Sequence, residues 1–267
     1  MRLSRVLPLF LAVTIAALAG CGGSRASSET PLQAWMSRSP MYVAHRGGDG
    51  NWPEDTAYAY RQAAAWNPEL ALEASVWRTS DGVWVISEDP GTGRVFDRDL
   101  RIPATPWSVL ATLRTRVGHY PMARLRQDVL DVYGSSRILF IDNKADDHAA
   151  EFLHLLSSYA GRARYVVKSF WASDTTARAA RKQGYLTWGY YFPRDMAHVR
   201  ATQSRFDLLG LAASASRRDF AGLEATGKPV IAHVIDSPDQ ARAALDKGAS
   251  GLMVADVTAV VPAGRPG

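Results

Sequence analysis

Short β-branched, apolar runs alternate with longer helix-patterned stretches along most of this chain, and that alternation constrains the fold more than any other feature. Strands are expected over Met41–His45, Leu70–Trp77, Arg137–Asp142, Arg164–Phe170, Leu186–Tyr190, Asp207–Leu211, Pro229–Ile235 and Gly251–Val254. Helical patterns lie between them at Thr56–Trp66, Asp146–Ala160, Asp174–Gln183, Arg194–Ser204, Ser216–Thr226 and Pro238–Lys247. Asp174 and Ser237 stand at N-cap positions, Pro238 in a first turn, and Gly184, Gly227 and Gly248 where helices should stop. Strands that alternate with helices build βα units around a parallel sheet. Eight such units favour a TIM-type (β/α)8 barrel over an open sheet, and the length suits one, since such barrels typically need about 250 residues. One stretch breaks the rhythm. Asp81 to about Tyr133 is a Gly- and Pro-punctuated excursion, and long loops of that kind usually carry function.

The N-terminus sets the compartment. Arg2 and Arg5 precede an apolar run from Val6 to Leu18, too short to cross roughly 30 Å of hydrocarbon, so it reads as a signal peptide. Leu18-Ala19-Gly20-Cys21 closes the run and resembles a bacterial lipobox, in which the Cys is lipidated and becomes the new N-terminus. Cys21 is the only Cys, so no disulfide forms within the chain. The expected organisation is a lipoprotein signal peptide over residues 1–20, a lipidated Cys and flexible tether over 21–35, and one barrel over 36–261. That implies a secreted protein, anchored by lipid to the outer face of a bacterial membrane, because each buried CH₂ contributes about 0.8 kcal/mol.

The sequence pI of about 9.4 does not make a nucleic-acid partner. Two of the arginines leave with the signal peptide, and the remaining basic residues are scattered without a run or an aromatic-rich strand. Mild attraction to an anionic lipid or substrate accounts for the surplus. The sequence also lacks a G-x-G-x-x-G turn, a Cys/His zinc set and a G-x-S-x-G elbow.

Working groups in such barrels sit at the C-terminal ends of the strands. The polar residues expected there are His45 and Arg46, Glu73, Asp142 and Lys144, Lys168 and Ser169, His233 and Asp256. Read with its neighbours, Ala44–Asp89 (AHRGG…NWPEDT…ALEASVWRTSDGVWVISED) resembles the glycerophosphodiester phosphodiesterase family, related to the phosphatidylinositol-specific phospholipases C. That family shows His-Arg-Gly, Pro-Glu-Asn-Thr, Glu-x-Asp-Val and Thr-x-Asp-Gly-x-x-Val followed by His-Asp. The likeness continues through Ile141–Lys144, Ser169-Phe170 and the final GKPVIAHVIDSPDQARAALDKGASGLMVAD.

The resemblance implies a metal-dependent phosphoric diester hydrolase acting on glycerophosphodiesters or phospholipid head groups. It implies His45 and the residue at position 88 as acid and base, with Arg46 and Lys144 on the phosphate. Glu73 and Asp142 would hold a divalent cation such as Mg²⁺ or Ca²⁺, and Glu54 would orient Arg46 or its loop. Lys168 is a further candidate phosphate contact. Three positions depart from the pattern: Ser75 where an Asp is usual, Glu88 where the second His is usual, and Asp142 where a Glu is usual. Glu88 could serve as a general acid if its pKa were raised, or turn toward the cation. Glu73 could instead pair with Arg46 or Lys144 without any metal, and Asp142 could pair with Lys144. A barrel that has lost catalysis and binds a head group or a protein partner is the alternative that Ser75 and Glu88 raise.

Overall fold

In the computed structural model, which describes residues 29–159 and 161–264, eight parallel strands close into a barrel. They are β1 (Met41–Ala44), β2 (Ala71–Arg78), β4 (Leu139–Asn143), β5 (Tyr165–Phe170), β6 (Leu186–Tyr191), β7 (Leu208–Ala212), β8 (Val230–Ile235) and β9 (Gly251–Val254). Each pairs with its neighbours, and β1 bonds to both β9 and β2, which leaves no open barrel edge. The remaining strand, β3 (Trp84–Ile86), runs antiparallel to the end of β2 and lies outside the barrel. The signal peptide and Cys21 lie outside the described residues.

Alternation along each strand divides the core in two. Outward-facing residues such as Leu72, Ile141, Val167, Leu209 and Val254 pack under the helices. Inward-facing residues Met41, Phe140, Val166, Leu208, Ile231 and Met253 fill the lower barrel. The helices begin where side chains satisfy their free N–H groups: Thr56 accepts from Ala59 N, Ser216 from Asp219 N and Ser237 from Gln240 N.

Two expectations change. The stretch assigned to the tether contains a helix, Pro31–Met36, with Thr30 and Gln33 forming a capping box. Leu32 and Trp35 are buried against the lower barrel residues, with Trp35 edge-on to Phe140, so residues 30–36 belong to the folded domain. The helix is corked into the N-terminal end of the barrel because its two large apolar side chains have a cavity floor to fill. The excursion also holds more order than a loop. Val85, Phe96, Ile102, Leu110, Leu113 and Met122 form a small separate core around β3.

Candidate active site

The site is built from strand ends and the turn after β1. At that turn the chain leaves β1 through His45, and Arg46 takes up a left-handed backbone conformation, φ +48°. Non-glycine residues adopt that region at a cost that surrounding contacts must offset, and such residues concentrate at functional sites. Here the turn aims the Arg46 backbone N–H at Glu73 Oε2, 2.7 Å away. Gly47 and Gly48 follow with φ +79° and +93°, where a Cβ would lie 3.0 Å from Ala59 Cβ and 2.8 Å from the Trp52 ring. The two glycines after His-Arg are therefore required by the close packing of this turn.

The turn also supplies a residue that the sequence reading passed over. Asp49 places both carboxylate oxygens 3.0 Å from His45 Nδ1. A carboxylate on Nδ1 fixes the tautomer and leaves Nε2 free to exchange protons. The signal was present as an i+4 spacing, but only the turn geometry makes it a contact.

Register brings the other groups together. Ser75 on β2 stands beside Asp142 on β4, Asp142 beside Lys168 on β5, and Lys168 beside Trp188 on β6. Paired residues in a sheet face the same side, so all four point into the barrel. Glu73, one inward step below Ser75, is fully buried. Its Oε1 accepts from Lys168 Nζ at 2.6 Å, and Asp142 Oδ2 lies 3.3 Å from both Lys168 Nζ and Lys144 Nζ. The ammonium of Lys168 also lies 4.9 Å from the centre of the Tyr190 ring, a cation–π arrangement. Glu88 reaches in from the residue stretch after β3. It accepts from Ser75 Oγ at 2.7 Å and from Lys144 Nζ at 2.8 Å, with Arg46 Nη2 3.5 Å away.

Arg46 Nη1 donates to Glu54 Oε2 at 2.8 Å, and Arg94 from the excursion binds the other oxygen of Glu54. Glu54 thus holds Arg46 and ties the excursion to the β1 turn. A cleft of about 480 Å³ opens above, lined in part by His45, Arg46, Glu88, Lys168, Tyr190 and His233. Trp188 and Phe192 also reach it, whereas Tyr191 faces the helices and bonds Thr202. Asp256 does not line this cleft; it caps the helix Val257–Val260 and accepts from Asn51.

The charge states follow from these contacts. Burial alone would raise the Glu88 carboxyl, but Lys168, Lys144 and Arg46 outweigh it and hold its pKa at about 2. Glu88 is ionised at neutral pH, so the general-acid role considered for it does not fit. The physical reason is three cations around one carboxylate. Burial also opposes charge on Glu73, yet Lys168 and His45 hold its carboxyl far below the usual range. Lys168 is pulled down by burial and lifted more strongly by Glu73 and Asp142, which keeps it charged. His233 is pushed down to about 3 by burial and by Lys168, so it stays neutral with Nε2 3.2 Å from the Tyr191 carbonyl.

A divalent cation fits this donor set poorly. Both oxygens of Glu73 already accept hydrogen bonds, one from an ammonium, and Asp142 faces two ammonium groups. Where a third carboxylate would complete the set stands the Ser75 hydroxyl, and Glu88 is committed to Lys144 and Ser75. Among the described residues, no three His, Cys, Asp or Glu side chains converge on one metal-sized point.

Residues 45–254 match the model of the glycerophosphoryl diester phosphodiesterase family. The chain belongs to that family. Glycerophosphodiester phosphodiesterase 1 of Homo sapiens is 30% identical over 116 residues, which cover 40% of this chain and 35% of that protein. The match thus spans about a third of the length of this curated relative. Among solved structures, an Oleispira antarctica phosphodiesterase in complex with the product sn-glycerol-3-phosphate superposes with a TM-score of 0.71. It is 19% identical, and the match covers 82% of this chain and 94% of that one. A glycerophosphodiester phosphodiesterase from Agrobacterium tumefaciens gives 0.66 at 13% identity, with 82% and 99% covered. At these identities the structures speak for the barrel. Within the glycerophosphoryl diester phosphodiesterase family, this chain keeps the His-Arg-Gly turn and Glu73 while Ser75, Glu88 and Asp142 alter what surrounds them.

Proposed function

We propose that this barrel is a phosphoric diester hydrolase acting on glycerophosphodiesters, held at the outer face of a bacterial membrane by an acylated Cys21. The observation that carries the reaction is the His45–Asp49 pair at the lip of a cleft whose walls carry Arg46 and Lys168, with Lys144 set behind them on Glu88 and Asp142. With Nδ1 occupied by Asp49, His45 presents Nε2 as the base that takes a proton from the attacking hydroxyl, either the substrate's own neighbouring hydroxyl or water. The oxygen of that hydroxyl bonds to phosphorus, the P–O bond to the alcohol breaks, and the proton held on Nε2 passes to the departing alkoxide. Arg46 and Lys168 neutralise the phosphate oxygens, where bonds between charged partners are strongest, and Lys144 adds positive charge behind them. Glu54, Glu88 and Glu73 position those cations. Support for the substrate class comes from membership of the family and from the glycerol phosphate product seen in a structural neighbour. The anchored location rests on the lipobox-like segment ending in Cys21.

The test is release of glycerol phosphate from water-soluble glycerophosphodiesters, comparing the protein with His45→Ala. Loss of a positioned acid/base group typically lowers the rate by about 10²–10⁴-fold, and that drop is expected in kcat. Equal activity in the variant would remove His45 from the reaction. No turnover of any diester would favour the binding-only barrel.

A further inference from the structure

A lysine ammonium stands between the two carboxylates where the family resemblance implies a divalent cation. We propose that the Lys168 ammonium is the resident cation of this phosphodiester site, and that the protein hydrolyses its substrate without a bound divalent metal. The inference rests on the phosphodiesterase reading and concerns the charge that meets the phosphate.

Four observations point the same way. The first is position: Lys168 Nζ sits between Glu73 Oε1 at 2.6 Å and Asp142 Oδ2 at 3.3 Å, the two carboxylates that the family pattern assigns to the metal. The second is composition. Ser75 replaces a carboxylate at the register position beside Asp142, which removes a negative charge that a divalent ion would need and a lysine would not. The third is the wall on the other side. Tyr190 turns its ring face to the ammonium, a surface that suits a lysine cation and offers a hard metal ion no oxygen ligand. The fourth is access: Lys168 lines the cleft together with His45 and Arg46, so the ammonium faces the space a phosphate would enter.

The charge balance is consistent. One ammonium between two carboxylates leaves the trio at a formal −1, and Lys144 beside Asp142 returns it to neutral. The remaining pull on the phosphate comes from a donor that is fixed before substrate arrives. Such preorganised donors stabilise developing charge because they need no reorientation during the reaction. A lysine has a directional limit that a metal ion lacks. One of its three protons is given to Glu73 and its charge also pairs with Asp142, so only the protons turned away from Glu73 can reach a phosphate oxygen.

The experiment pairs metal binding with turnover in the whole protein. Wild type, stripped with chelator, is titrated with Mn²⁺ followed by electron paramagnetic resonance, and assayed on a soluble glycerophosphodiester with and without chelator. Expected are no stoichiometric Mn²⁺ binding and a rate unchanged by chelation. Lys168→Gln should lower kcat by roughly 10²–10³-fold, the usual loss on removing one preorganised donor. The double variant Lys168→Gln with Ser75→Asp should bind one Mn²⁺ per chain and depend on it for activity. One Mn²⁺ bound by wild type, or a tenfold loss on chelation reversed by added Mg²⁺, Ca²⁺ or Mn²⁺, would overturn the proposal. Should Lys168→Gln unfold because Glu73 is left uncovered, the wild-type titration alone decides. If no diester is turned over, the phosphodiesterase reading fails, while Mn²⁺ binding still shows whether Lys168 holds the place.

Discussion

Asp55 stands where the family usually has an Asn, in Pro53-Glu54-Asp55-Thr56, and its surroundings explain how an acid can take that place. It is buried, adopts φ +57°, and has Tyr60 as a hydrogen-bond partner at 3.3 Å. Burial first, then Glu54 and Glu73, raise its carboxyl well above the usual range, so it sits as the neutral acid, close in shape to the amide. The unfolded chain gives up that proton near the ordinary value of 3.8, whereas the folded chain keeps it to higher pH. The folded state therefore binds more protons across that window, and stability falls as pH rises through it. Asp55→Asn should remove this slope, giving a higher melting temperature than wild type at pH 8 and a smaller difference at pH 4. Thermal unfolding followed by circular dichroism at both values checks this, and a steeper loss in the variant would contradict it. At this scale the sequence names residues without their states. Glu88 reads as a possible acid until Lys144, Lys168 and Arg46, distant in sequence, are seen around it. Lys168 reads as a candidate phosphate contact, and only register adds that it stands between Glu73 and Asp142.

Among the elements, all eight barrel strands are legible in the sequence to within a residue or two because each is a short apolar run set off by turns and helices. β3 was not, and the reason is physical. Three residues, Trp84–Ile86, are too few to show a period, and they pair with the overhang of β2 rather than with the barrel. The helix Pro31–Met36 was hidden differently. Its neighbours are small and polar, and the two residues that fix it, Leu32 and Trp35, gain their place only from the open floor of a closed barrel. Truncating a buried aromatic to Ala typically costs about 3–5 kcal/mol. Trp35→Ala should lower the unfolding free energy from urea denaturation by about 3–5 kcal/mol while leaving the cleft chemistry at the far end unchanged. A loss below about 1 kcal/mol would return the segment to the status of a tether.

On the scale of the whole molecule, the proposed N-terminal anchor and the fold would set separate properties. The described residues contain no helix long and apolar enough to cross a membrane. The proposal assigns the hold on the bilayer to Cys21. Cys21→Ser should move the protein from the membrane fraction to the soluble fraction of the envelope, as judged by fractionation and immunoblotting. Retention of the variant on the membrane would rule out acylation there as the attachment. The corked end of the barrel then acquires a meaning beyond stability. The chain enters the fold at Thr30, beside the floor that Leu32 and Trp35 seal, while His45 and Lys168 open at the opposite pole. An acyl chain upstream of Thr30 would moor the sealed pole and leave the open pole turned to the water. On that proposal the enzyme would be a scavenger: it would meet head-group diesters already shed from their fatty chains, and the lipids beneath its own foot would be the ones it is worst placed to reach.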